Sequence, residues 1–195
     1  MNQHLKLNSI NQRFFFSKIF LINLLKLLLS YLADVEFILF EPRAGNQWAR
    51  TLYLRLMRVE YGKNNYMGHH IFIRNRGMLR LGQRCGIGSY AQIWNYALIS
   101  IEDDFLAASN LMLNSATHDP VTLAPQGIEI KIGKKVWCGT NVTILAGVTI
   151  GSNVVIGAGS VVINDIPSNC IAAGVPAKKI RDLHRQDIQC WNPFT

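Results

Sequence analysis

From Ile132 to Val162 an apolar residue returns at every sixth position: Ile132, Cys138, Ile144, Ile150, Ile156 and Val162. An amphipathic helix needs spacings of three and four, and a half-buried strand needs two, so neither gives this period. A fixed internal repeat is the mark of a solenoid. Within each six the fifth member is small or β-branched: Val136, Val142, Val148, Val154, Ser160 and Ile166. The fourth members after Lys135 are Asn141, Gly147, Asn153, Gly159 and Asp165, residue types that enter left-handed backbone conformations most easily. An inward aliphatic, a left-handed corner and a second inward small residue describe one side of a triangular coil. Three sides, about 18 residues, close a turn.

The pattern extends backwards more loosely, as LGQRCG, IGSYAQ and IWNYAL over 81–98 and IEDDFL, AASNLM and LNSATH over 101–118, with Ile99 and Ser100 interrupting the phase. Residues 119–131 break the register, and Pro120, Pro125 and Gly127 mark them as an excursion from the coil. A long irregular insert in a regular solenoid points to function. After Pro167 the repeat decays, and a short helix is expected from about 178 to 189, capping an end that would otherwise expose unpaired strand edges. At about 4.8 Å per turn, four full coils and a partial one before residue 81 give a prism roughly 20–25 Å tall. Its flat sides favour cyclic self-association.

Residues 1–80 carry 12 Lys/Arg against 4 Asp/Glu, so the whole excess behind the formal net charge of +8 lies there. No helix-turn-helix, ribonucleoprotein or metal-finger spacing accompanies it, and nucleic-acid binding is not expected. Residues 14–33 are mostly apolar, with Asn23, Lys26, Ser30 and Asp34 drawing one narrow polar stripe along a helix. Lys18 and Lys26 make a membrane span costly. Two readings stand: a helical pair, 14–40 on 47–60, covering one end of the coil with its apolar side inside an oligomer, or peripheral contact of residues 1–40 with the inner membrane leaflet. Cys85, Cys138, Cys170 and Cys190 form no CxxC pair; they read as reduced thiols of a cytoplasmic protein, and no cleavable signal is apparent.

The strings THDP at 117–120, IGKKVWCGTNVTILAGVTIG at 132–151, IGAGSVV at 156–162 and AAGVPAKKIR at 172–181 resemble the hexapeptide-repeat acyltransferases, above all the sugar and polysaccharide O-acetyltransferases. Residues 41–62 are similar to the helical lead-in of polysaccharide-biosynthesis members. The resemblance implies a mainly β fold: a left-handed parallel β-helix over 63–177 with the inserted loop 119–131, an N-terminal helical extension over 1–62 and a cap over 178–195. It also implies a homotrimer with acetyl-CoA in the cleft between neighbouring subunits and a small-molecule or lipid-linked sugar as acceptor. No metal is expected.

Acetyl transfer from a thioester to an alcohol needs a base for the hydroxyl proton. His118 closes the last hexad before the insert, and the resemblance makes it that base; Asp119 is adjacent, but adjacency does not ensure contact. No defensible serine or cysteine nucleophile is present, which favours direct transfer, with backbone N–H groups meeting the oxyanion. In similar enzymes Trp137 lines the acyl arm, Gly139, Thr140 and Ala158 match coenzyme A contacts, and Lys178 and Arg181 match cations near the nucleotide phosphates. Two departures stand out. Ile163-Asn164 replaces a common threonine-lysine pair, and Gly88 stands where maltose- and galactoside-type members often carry an acceptor asparagine.

Among activities, O-acetylation of a sugar in capsule, exopolysaccharide or lipopolysaccharide assembly leads. Antibiotic or serine acetylation and a non-catalytic binding coil are the alternatives. A zinc enzyme on the same coil would need three histidines on adjacent turns, and of the five present only His118 lies in the repeat.

Overall fold

A computed structural model describes residues 18–36 and 47–184. The expectations for 1–17, 37–46, the last part of the C-terminal cap and Cys190 lie outside these residues. The chain winds into a left-handed parallel β-helix of about six turns. Each turn visits three sheets in order. Face A stacks Glu60–Tyr61, Leu79–Leu81, Ile99–Ile101, Ile130–Ile132 and Thr149–Ile150. Face B stacks Tyr66–Met67, Gly86–Ile87, Leu106–Ala107, Trp137–Cys138, Val154–Ile156 and Cys170–Gly174; face C stacks Phe72–Ile73, Gln92–Trp94, Met112–Asn114, Thr143–Leu145 and Val161–Val162. The six parallel strands of face B make the coil about 24 Å tall.

The hexad logic holds in the interior. Every first member from Leu81 to Val162 faces inward, as do the fifth members Val136 to Ile166. Each fully buried aliphatic contributes about 1.5–3 kcal/mol relative to an exposed one. At the corners Lys135, Asn141, Gly147, Asn153 and Gly159 have positive φ. Asp165 does not belong to that set; its carboxylate instead accepts the Thr149 backbone N–H at 2.7 Å.

The turns are not all of one length. Lys131 stands over Thr149 and Thr143 over Val161, an 18-residue turn, whereas Glu60 stands over Arg80 and Gln92 over Met112, a 20-residue turn. The two additional residues lie at the corner between faces C and A. Ile99 and Ser100, which looked like the interruption, are themselves paired strand residues. The longer corner is filled by a polar ladder. Asn95 Oδ1 accepts the Asn75 backbone N–H at 2.8 Å, Asn95 Nδ2 donates to the Asn75 carbonyl at 2.8 Å, and Ser115 Oγ accepts the Ala97 N–H at 2.9 Å. Asn95 and Ser115 are fully buried, so these bonds replace the water each group lost.

Two helices close the first turn: α1 over 18–36, and α2, Trp48–Leu56. The Glu36 carboxylate accepts the Trp48 and Ala49 N–H groups at 2.9 and 3.0 Å, satisfying donors that a helix start leaves unpaired. Tyr53, Leu54 and Met57 plug the coil's end.

At the other end the expected helix is absent over its described part. Ala177–Asp182 is a strand, antiparallel to Cys170–Gly174. The last turn leaves an open edge on face B. A returning strand satisfies its backbone groups directly, which a helix laid across it does not.

Candidate active site

The insert is an antiparallel hairpin, Ala116–His118 paired with Pro125–Gly127. It springs from the long C/A corner: the Ser115 N–H donates to the Trp94 carbonyl at 3.1 Å, and the Ile128 N–H closes the base on the Ser115 carbonyl at 2.9 Å. Where the hairpin returns, a Cβ on Gly127 would stand 3.1 Å from the Tyr96 carbonyl oxygen. Any side chain there would have to push its neighbours back by a few tenths of an ångström, which a glycine avoids.

His118 ends the outgoing strand, opposite Pro125 and exposed. Asp119 does not orient it. The Asp119 Oδ1 accepts the Thr122 N–H at 2.7 Å, the Thr122 hydroxyl at 2.9 Å and the Val121 N–H at 3.0 Å, so it organises the hairpin's tip. The Thr122 and Val121 donors hold the Asp119 carboxyl below its ordinary pKa. A depressed folded pKa means that the tip is held above the unfolded value of about 3.9 and released only as pH falls through the lower folded one. The protection factor of the Leu123 amide, which donates to the Asp119 carbonyl at 2.9 Å, should be full at pH 5–7 and be lost only as pH falls below the ordinary carboxylate range. Asp119→Ala should abolish that protection throughout.

The other candidates gather elsewhere, on face B and its corner with face C. Trp137 stands outward between Leu106 and Val155 and is 48% exposed. Beyond it Gly139 packs under the next rung, where a Cβ would meet the Ala158 nitrogen at 2.7 Å. Thr140 Oγ1 donates to the Ser109 carbonyl at 3.0 Å, and the Gly159 N–H donates to the Thr140 carbonyl at 2.8 Å. The column therefore runs Ser109, Thr140, Ala158, and on to Ala173, which pairs with Lys178 on the returning strand.

Trp137 and that strand are three strand spacings apart, about 14 Å, so the strip is long enough for an extended ligand. A bulge at Ile180 sets Arg181 opposite Ile171 and Lys178 opposite Ala173, so the two cations stand on the outward side of this strand, roughly 7 Å apart, without a helix. Lys179, between them, is tied to Asp182 at 2.6 Å; the hydrogen bond and charge of Asp182 raise its pKa. Lys178 has no acidic partner among the described residues.

The fold does not bring the two groups together within one chain. The hairpin leaves from the corner between faces C and A, which on a three-sided prism lies opposite face B. His118 and Trp137 are on opposite sides of the coil. The buried thiols offer no nucleophile: desolvation pushes Cys138 up to about 12 and Cys85 up to about 11, so neither forms thiolate readily. Among the described residues no group of three or more His, Cys, Asp or Glu could hold a metal. The corner ladder Asn75, Asn95 and Ser115, which carries the hairpin, was not found by sequence reasoning, although its regular spacing of 20 was a readable signal.

A three-sided coil with an antiparallel hairpin and an exposed strip along one face is the architecture of the hexapeptide class, and a family model described as bacterial transferase hexapeptide (six repeats) matches residues 129–164. The chain is 35% identical over 144 residues to the galactoside O-acetyltransferase of Escherichia coli (strain K12), covering 71% of this chain and 70% of that one. It is 31% identical over 149 residues to the putative lipopolysaccharide biosynthesis O-acetyl transferase WbbJ of the same organism, over 68% and 76% of the two chains. A galactoside acetyltransferase solved in complex with coenzyme A matches with a TM-score of 0.66 at 27% identity, over 86% of this chain and 87% of that one. The chain belongs to the hexapeptide-repeat O-acetyltransferase family and is an acyltransferase.

Proposed function

We propose that the protein transfers an acetyl group from acetyl-CoA to a sugar hydroxyl during assembly of a capsule, exopolysaccharide or lipopolysaccharide, and that it does so as a homotrimer. The relatives' names support the acceptor class. The observation that carries the assembly is the placement of the hairpin opposite face B. A single coil holds two half-sites facing away from each other. Cyclic association sets the hairpin of one subunit over the strip of the next.

In that cleft the strip from Trp137 through Thr140 and Ala158 receives the pantetheine arm, and Lys178 and Arg181 meet the nucleotide end. His118 of the adjoining subunit takes the acceptor's hydroxyl proton as the oxygen attacks the thioester carbonyl. The carbon–sulfur bond then breaks, and the departing thiolate takes the proton back from the imidazolium. Backbone N–H groups hold the oxyanion meanwhile. Catalysis in a reducing, cytoplasmic compartment suits the buried free thiols of Cys85, Cys138 and Cys170.

A subunit-mixing experiment tests this reading. His118→Ala removes the base, and Thr140→Trp, at an exposed position, blocks the strip; each homotrimer should be inactive in thiol release from acetyl-CoA. Co-assembled in equal amounts they should recover about a quarter of wild-type activity, the share of clefts that pair an intact hairpin with an intact strip. No recovery from a mixed trimer would place both halves of the site in one chain and sink the proposal. In a separate measurement, Trp137→Ala should raise the KM for acetyl-CoA by about tenfold, equivalent to about 1.4 kcal/mol of binding, with a smaller change in kcat.

A further inference from the structure

Helix α1 is amphipathic in the reverse sense. The first turn of a parallel coil has no strand beneath it, so the edge of face C ends in open backbone groups that need partners where the helix covers them. Lys26 supplies that need: its ammonium donates to the Ile73 carbonyl and, at 3.2 Å, to the Arg74 carbonyl, and it lies 4.9 Å from the Phe72 ring centroid. Eight residues on, the Asp34 carboxylate binds Arg50 at 3.0 Å, accepts the His70 backbone N–H at 2.6 Å and meets the His70 Nδ1 at 3.0 Å. With Lys26 and Asp34 bound to the coil, Leu29 packed against its core and Ala33 buried, the helix turns the rest of its apolar side chains outward. Phe20, Leu27 and Tyr31 are 69%, 68% and 66% exposed, and Leu21 and Leu28 stand beside them.

The surroundings say what this side fits. Lys18, Arg55, Arg58, Lys63, Arg74 and Arg76 are all exposed at this end of the molecule. The carboxylates of the described residues here are not available to oppose them: Asp34 and Glu36 are buried, and Glu60 pairs with Arg80 at 2.9 Å. Trp48, on α2, is also exposed. Another copy of this surface would bring cations against cations. An anionic lipid surface meets both the charge and the apolar side chains.

We infer that the outward side of α1 docks this protein flat onto an anionic lipid bilayer. The helix is about 28 Å long and held to the coil through Lys26 and Asp34, so it lies in the interface; no helix of the described residues is long and apolar enough to cross a membrane. Docking does not depend on the acetyl-transfer reading, and its test does not use activity as a readout.

The full chain is floated with vesicles of equal parts phosphatidylcholine and phosphatidylglycerol, and with vesicles of phosphatidylcholine alone. The expected result is recovery with the anionic vesicles at least tenfold above that with the neutral ones, falling as salt is raised. The double variant Leu27→Gln, Leu28→Gln removes two exposed side chains and should cut vesicle binding by tenfold or more, with an unchanged circular dichroism spectrum and an unchanged molecular mass in solution. Failure of the wild type to float, equal flotation with neutral vesicles, or a lower solution mass for the double variant would each overturn the inference, the last by showing that α1 covers another copy of the chain.

Discussion

Replacing His118 by alanine is expected to lower acceptor-dependent thiol release from acetyl-CoA by about 10²-fold or more, with little change in acetyl-CoA binding. The split between the two readouts follows from where the residue sits. His118 ends one arm of the hairpin, opposite Pro125 and exposed, and its removal leaves the core and the Trp137 strip untouched. A structural histidine would behave otherwise, shifting stability together with activity. The decisive comparison is kcat for wild type and variant beside the acetyl-CoA dissociation constant of each. A kcat within threefold of wild type would remove His118 as the base.

Phe105→Ala is expected to be the most damaging single change to the fold. The ring is fully buried, and its rung neighbours are the much smaller Cys85, whose following N–H at Gly86 donates to the Phe105 carbonyl, and Val136, whose carbonyl accepts from Leu106. One large side chain thus fills the axis between two small ones. Truncation leaves a cavity that rigid, hydrogen-bonded rungs cannot close, at a cost of about 3–5 kcal/mol. Chemical denaturation followed by circular dichroism should show the midpoint falling accordingly. Phe105→Leu, which keeps much of the volume, should cost far less. Equal losses from both would mean that ring shape, and not cavity volume, sets the stability there.

The coil itself was open to reading because its geometry demands an inward side chain at fixed intervals. Ile132, Cys138 and Ile144 had no freedom to be polar, so the period survived in the sequence. The 20-residue turns were harder to see. Their additional residues sit at a corner, where Asn95 is buried yet polar, and a pattern built on apolar spacing skips it. The insert announced itself by breaking register at 119, but its outgoing root at Ala116 still looked like repeat. His118, Trp137 and Lys178 were visible through family resemblance, and the helix drawn around Lys178 was wrong because local composition cannot report an open sheet edge waiting nearby. The orientation of α1 escaped for a related reason. Nothing within 18–36 says that Ile73 and Arg74 present carbonyls in need of a donor.

The corner between faces C and A differs from the other two in one further respect. Residues on all three faces are locked rung to rung, so adding or removing one would shift every pairing beyond it. At the C/A corner the span is 6 residues from Thr143 to Thr149, 8 from Gln92 to Ser100 and 19 from Met112 to Lys131, while the strands on either side keep their partners. Segment length is therefore a free variable at this single edge of the prism. Exchange of the whole stretch between Asn114 and Glu129 for one of different length and reach changes what this edge carries without reregistering the scaffold, which makes it the natural place for diversification or redesign.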